Sequence, residues 1–241
     1  MPAEPTHSRT LPRGQAAAPL VRSVRIPPLD LAGTVRLPSA PKAIVVFAHG
    51  SGSSRFSPRN VFVAEALATH DMATLLFDLL TEQEDRDRAN VFDIPLLAKR
   101  LADAVRWVRR DAEIGHLPIG LFGASTGAAA ALVTAAELGD MIAAVVSRGG
   151  RPDLAGDALD AVRAPTLLIV GGADRDVLTL NKQALERIGA PKALEVVPGA
   201  SHLFPEPGAL EAVIDHVVRW FNRHLLRNPP DERGGGRNAS I

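Results

Sequence analysis

The chain has 241 residues, 46% of them hydrophobic and 22% charged, a balance that suits one soluble globular domain and is short for two independent cores. Lys+Arg and Asp+Glu both number 27, Tyr is absent and aromatics make up 4%, which argues against a basic stripe or stacking platform for nucleic acid. The absence of Cys removes disulfides, thiolate metal sites and cysteine nucleophiles, and no apolar run approaches the ~20 residues that span a bilayer. A soluble, cytoplasmic protein without a membrane partner is expected.

Residues 1–19, with Pro2, Pro5, Pro12 and Pro19, read as a flexible leader, and residues 227–241, with Gly234-Gly235-Gly236, as a flexible tail. Between them, residues 20–226 read as one domain of alternating strands and helices. Val21 to Ile26 and Leu31 to Leu37 form an opening antiparallel pair around Pro27-Pro28. Lys42 to Ala48 is a continuous apolar run, the mark of a strand covered on both faces. Ser57-Pro58 then offers an N-cap and an N1 proline for a helix to about His70. Ala73 to Phe77 is a further buried strand, the run Glu82 to Arg88 a solvated loop, and Asp93 caps a helix carrying Leu97, Leu101, Val105 and Val108 at helical spacing.

Pro118 to Phe122 reads as a strand and Ser125 to Leu138 as an Ala-rich helix with almost no polar face, hence buried on most sides. Strands at Ile142 to Val146, Thr166 to Val170 and Ala193 to Val197 alternate with helices near Leu154 to Asp160, from Leu178 to Ile188 and from about Glu206. This alternation predicts an α/β fold with a doubly wound, mostly parallel sheet flanked by helices. The interval from Val146 to Thr166 holds only one short helix, so no large lid domain is expected. In such sheets chemistry collects beyond the carboxyl ends of the strands.

Four of those ends carry candidate residues. After Phe122 stands Gly123-Ala124-Ser125-Thr126-Gly127, a G-x-S-x-G between strand and helix. A serine thrust out of so tight a turn needs small residues two before and two after it. After Ala48 comes His49-Gly50-Ser51-Gly52, where the Ser51 amide, with that of Thr126, can face an oxyanion. His49 itself suits a structural hydrogen-bonding part. After Val170 come Asp174 and Asp176. Asp174 is preferred as the carboxylate that orients a histidine, because Asp176 is better placed to cap the helix from Leu178, and Asp176 remains a rival. After Val197 lies His202, which completes the order Ser, Asp, His.

These residues resemble the α/β-hydrolase superfamily, and within it the dienelactone-hydrolase-like members. The resemblance rests on His49-Gly50, Gly123 to Gly127, the segment Gly171 to Val177 and the segment Gly199 to Phe204, and it covers residues from about 20 to 225. It implies Ser125 as nucleophile, His202 as general base and acid, Asp174 as its orienter, and the Ser51 and Thr126 amides as oxyanion hole. Dienelactone hydrolases proper use Cys where this chain has Ser125, so their particular substrate is not implied. The expected reaction is cleavage of an ester-like bond in a small molecule through an acyl-enzyme, with no metal and no cofactor. Acyl transfer and ligand binding without turnover are the alternatives. Arg148 and Arg151, at a strand end, could hold an acidic substrate group or pair with Asp153 or Asp157. The oligomeric state is not legible.

Overall fold

A computed structural model describes residues 18–226. The expected tail, and all but the last two residues of the expected leader, lie outside the described residues. Eight strands form one sheet: β1 (Leu20–Ile26), β2 (Leu31–Leu37), β3 (Ala43–Ala48), β4 (Met72–Phe77), β5 (Ile119–Ala124), β6 (Ala144–Arg148), β7 (Thr166–Gly171) and β8 (Lys192–Val197). Their order is β1-β2-β4-β3-β5-β6-β7-β8. The β1–β2 and β2–β4 pairs are antiparallel and all the others parallel. The doubly wound sheet expected from the strand–helix alternation is therefore present.

The helices are α1 (Pro58–Ala68), α2 (Glu82–Asp85), α3 (Ile94–Arg110), α4 (Thr126–Leu138), α5 (Ala158–Ala161), α6 (Arg175–Arg187) and α7 (Ala209–Leu225). Because successive strand residues face opposite sides, β3 sends Ile44, Val46 and Ala48 into one core and Ala43, Val45 and Phe47 into the other. The first core is roofed by α3 and α4, the second by α1 and α7. Helix α4 is sheathed so fully that Ala128 to Leu132 have no exposed surface, as its lack of a polar face requires. Across the sheet, Gly120 lets Phe221 lie on β5, since a Cβ there would stand 2.8 Å from the ring.

One local expectation is corrected. The segment Glu82 to Arg88 is not a plain solvated loop. Thr81 and Glu84 form a reciprocal capping box that starts α2, and Glu84 also binds Arg100 of α3 at 2.8 Å. The signature was present in Thr81-x-x-Glu84. Between β6 and β7 a 3-10 turn (Pro152–Ala155) precedes the single turn of α5, and among the described residues no lid domain covers the sheet. Nor, among those residues, is any helix long and apolar enough to cross a membrane.

Candidate active site

Ser125 ends the approach of β5 and stands one residue before α4. Its backbone is at φ 51°, ψ −121°, a region that costs a non-glycine residue about 1–3 kcal/mol. Three hydrogen bonds over-determine the turn: the Ser125 amide donates to the Arg148 carbonyl at 3.3 Å, and the Ala128 and Arg151 amides both donate to the Ser125 carbonyl at 3.1 Å. The flanking glycines are sterically required. A Cβ on Gly123 would lie 2.4 Å from Ala128 Cα, and one on Gly127 would lie 2.2 Å from the Ala48 carbonyl oxygen. Gly50 answers from the other side, for a Cβ there would meet Ser125 Cβ at 2.9 Å.

His202 and Asp174 come from the loops after β8 and β7. The loops are stitched together by the Gly172 amide on the Val197 carbonyl (2.8 Å) and the Ala173 amide on the Ala200 carbonyl (2.9 Å). Across this seam His202 Nδ1 donates to Asp174 Oδ2 at 2.7 Å. The carboxylate is largely buried, its side chain 16% exposed, and the imidazole 38%. Asp176 was expected to cap the next helix, but α6 begins earlier, at Arg175, and Asp174 occupies the N-cap position without a side-chain cap bond. Asp176 sits in the first turn, exposed to solvent, where a carboxylate complements the helix dipole.

Ser125 and His202 line one cavity of about 240 Å³, together with Gly50, Ser51, Ser53, Ser57, Arg59, Asn60 and Arg148. Among the described residues no hydrogen bond joins the serine hydroxyl to the imidazole. Such contacts commonly tighten only when substrate is bound. The two backbone amides expected to form an oxyanion hole, those of Thr126 and Ser51, lie beside Ser125 and in the loop after β3. That of Thr126 is the first helical N–H of α4, which has no intrahelical acceptor. That of Ser51 donates to Thr126 Oγ1 at 3.0 Å, so the threonine hydroxyl holds the amide in place.

The structure separates the two arginines. Arg151 binds Asp153 through Nε (2.8 Å) and Nη2 (2.7 Å), the carboxylate pairing expected for it as the alternative to substrate binding, and is not among the residues lining the cavity. Arg148 does line the cavity, 5% exposed, and its Nη2 donates to Asn60 Oδ1 at 3.2 Å. Among the described residues it has no carboxylate partner of the kind expected for it; Asp157 pairs instead with Arg187. Sequence reasoning also missed Arg59, Asn60, Ser53 and Ser57, which the start of α1 and the loop before it carry to the strand ends. Ser57 holds the N-cap position but makes no side-chain cap bond.

His49 is structural in its bonding. Its Nε2 accepts from the Leu79 amide at 3.1 Å, and Nδ1 donates to the Gly50 carbonyl at 3.0 Å. Burial penalises the imidazolium and holds its pKa below the ordinary 6.5. As pH falls the unfolded chain therefore takes up this proton first. The stability carried by neutral His49 is complete above pH 6.5 and is lost as pH drops towards the folded value. His49→Gln, which keeps a donor and an acceptor but does not titrate, should show a shallower fall of melting temperature between about pH 8 and pH 5 than the parent chain. Parallel slopes would remove His49 as the source.

Residues 31–225 match the Dienelactone hydrolase family. The chain belongs to this family. It is 52% identical to a dienelactone hydrolase from Anabaena variabilis whose crystal structure superposes with TM-score 0.83, covering 86% of this chain and 98% of that one. It is 58% identical over 203 residues to a Mycobacterium tuberculosis (strain H37Rv) protein named "Putative phosphoribosyl transferase", a match that covers 84% of this chain but only 46% of the relative. This chain thus spans about half the length of the curated relatives it matches. Est1E from Butyrivibrio proteoclasticus, 16% identical with TM-score 0.71 and covering 85% of this chain and 99% of its own, shares the fold. Family membership supports an enzyme of hydrolase type.

Proposed function

We propose that this chain is a serine hydrolase that cleaves an ester-like bond through an acyl-enzyme. One observation carries the reading: Ser125, held at positive φ, opens into the same cavity as His202, whose far nitrogen is bound by a largely buried carboxylate. An ionised carboxylate only accepts, so Nδ1 keeps its proton and Nε2 presents a lone pair. Ser125 Oγ attacks the acyl carbon as His202 Nε2 takes the hydroxyl proton. The resulting oxyanion is received by the Thr126 and Ser51 amides. Collapse expels the alcohol oxygen, which collects the proton from His202. Water then repeats the sequence and returns the serine. The substrate is a small molecule, and the lack of cysteine in the sequence suits a reducing cytoplasm.

The test is covalent. A fluorophosphonate probe should label the full chain at Ser125, and Ser125→Ala should take up none. A wild-type chain that stays unlabelled while a control esterase reacts would sink the reading. The name carried by the Mycobacterium tuberculosis relatives offers phosphoribosyl transfer as a second activity, but of proteins about twice as long. The convergent serine, histidine and aspartate favour acyl chemistry for the part represented here.

A further inference from the structure

Acyl transfer through Ser125 uses neither Arg59 nor Arg148, yet both line its cavity. Arg148 closes β6, 5% exposed, with its Nε buried and without a partner. Arg59 stands in the first turn of α1, its Nε likewise buried and without a partner, and no carboxylate pairs with either guanidinium among the described residues. Other arginines with largely covered side chains, Arg36, Arg55 and Arg100, do have carboxylate partners. A buried cation without a counter-ion costs several kcal/mol, and here a second cation stands beside it. Burial, and next the charge of Arg59, push Arg148 down to about 10. Neighbouring like charges retained against that penalty mark a place where an anion belongs.

The surroundings supply donors and no acceptor charge. Helix α1 has 11 residues with no acidic residue in its first turn, and Ser57 does not cap it. Its first amides, those of Arg59 and Asn60 included, have no intrahelical acceptor, and such a terminus favours anions. The hydroxyl-bearing residues Ser53 and Ser57 line the same wall. A carboxylate is satisfied by one guanidinium fork. Two guanidiniums, a helix terminus and two serines call for more charge and more oxygens than a carboxylate has.

We propose that this cavity binds a phosphate monoester dianion, held between Arg59 and Arg148 at the start of α1, and that the enzyme's substrate is a small ester carrying such a phosphate on the portion that enters the cavity. The substrate assignment rests on the hydrolase reading; the anion site does not. A volume of about 240 Å³ leaves room for a phosphate and a short linker beside Ser125. The phosphate takes no part in bond making. It anchors the ester so that its carbonyl meets the serine, which is binding energy used for orientation.

Titration calorimetry of the full-length Ser125→Ala chain with inorganic phosphate and with acetate tests the site without turnover. Phosphate should bind, and acetate at least ~10-fold more weakly. Arg59→Gln and Arg148→Gln should each weaken phosphate by about 10- to 100-fold, the usual worth of hydrogen bonds to charged groups. Arg187→Gln, on the surface and paired with Asp157 and Asp160, should leave it unchanged. The second arm compares two p-nitrophenyl esters of equal chain length, one ending in phosphate and one in methyl. The phosphate ester should show the lower KM, and Arg59→Gln should erase that advantage. Should Arg148→Gln fail to fold, Arg59→Gln still decides.

Phosphate binding indifferent to Arg59→Gln, or acetate binding as tightly as phosphate, overturns the site. Phosphate binding without preference for the phosphate ester overturns the substrate assignment and makes the ligand a free anion. A chain that labels with fluorophosphonate yet binds no phosphate defeats this proposal alone. A chain that binds phosphate but does not label defeats the hydrolase reading and leaves the anion site standing.

Discussion

Asp174→Asn should lower kcat by about 10³- to 10⁴-fold, while Asp176→Asn should change it by no more than about twofold, as exposed surface substitutions do. The two positions are separated by one residue and by everything that matters electrostatically. Asp174 is a largely buried carboxylate bound to His202 Nδ1 at 2.7 Å. It accepts only, so the imidazole proton is fixed on Nδ1 and the Nε2 lone pair is left for the serine hydroxyl. An asparagine amide can instead donate to Nδ1, which puts the ring proton on Nε2 and removes the base. It also withdraws the negative charge that stabilises the imidazolium of the transition state. Because Asp174 does not line the cavity, KM should move little and the loss should fall on kcat. Hydrolysis of an activated ester by both variants checks this, with the melting temperature recorded to confirm folding. An Asp174→Asn chain retaining a tenth of parental kcat, or an Asp176→Asn chain losing as much as its neighbour, would displace Asp174 from the proposed triad.

What the sequence made legible was local. Strands buried on both faces announce themselves as apolar runs, and Ala43 to Ala48 and Thr166 to Gly171 are buried throughout. Gly127 was readable as the motif partner of Gly123, although the backbone it makes room for is that of Ala48 and His49. Gly123 was readable because the constraint that selects it, the approach of Ala128, lies within five residues of chain. The start of α6 was misplaced for the opposite reason. Asp174 occupies the cap position, but its carboxylate belongs to His202, 28 residues further on, so the local capping signal pointed to Asp176. Arg148 shows the limit most plainly. Its neighbour Arg151 behaves as local charge pairing suggests, on Asp153. Arg148 instead faces Asn60, 88 residues earlier, and only the crossing of α1 over the strand ends determines that. Pattern reading finds residues whose partners are near in sequence and leaves unassigned those whose partners the topology supplies.

The same steric logic sets the largest expected effect on stability. Gly127→Ala should cost about 3 kcal/mol or more, at the upper end of overpacking in a filled core, and lower the melting temperature by about 10 °C for a domain of this size. The added Cβ would stand 2.2 Å from the Ala48 carbonyl oxygen and 2.5 Å from that of His49. Both atoms are backbone of a buried strand end, so no rotamer change relieves the contact. Either α4 retreats, carrying Ser125 with it, or the loop after β3 retreats, carrying the Ser51 amide. Fluorophosphonate labelling should therefore fall along with stability. Gly199→Ala is the matched comparison. It sits at φ +72° with no atom within 4 Å of the methyl group that alanine would add, so it bears only left-handed strain of about 1–2 kcal/mol. If the two variants melt within a degree of each other, the added methyl is accommodated at Gly127 and the close approach of α4 to the loop after β3 is not what holds the elbow.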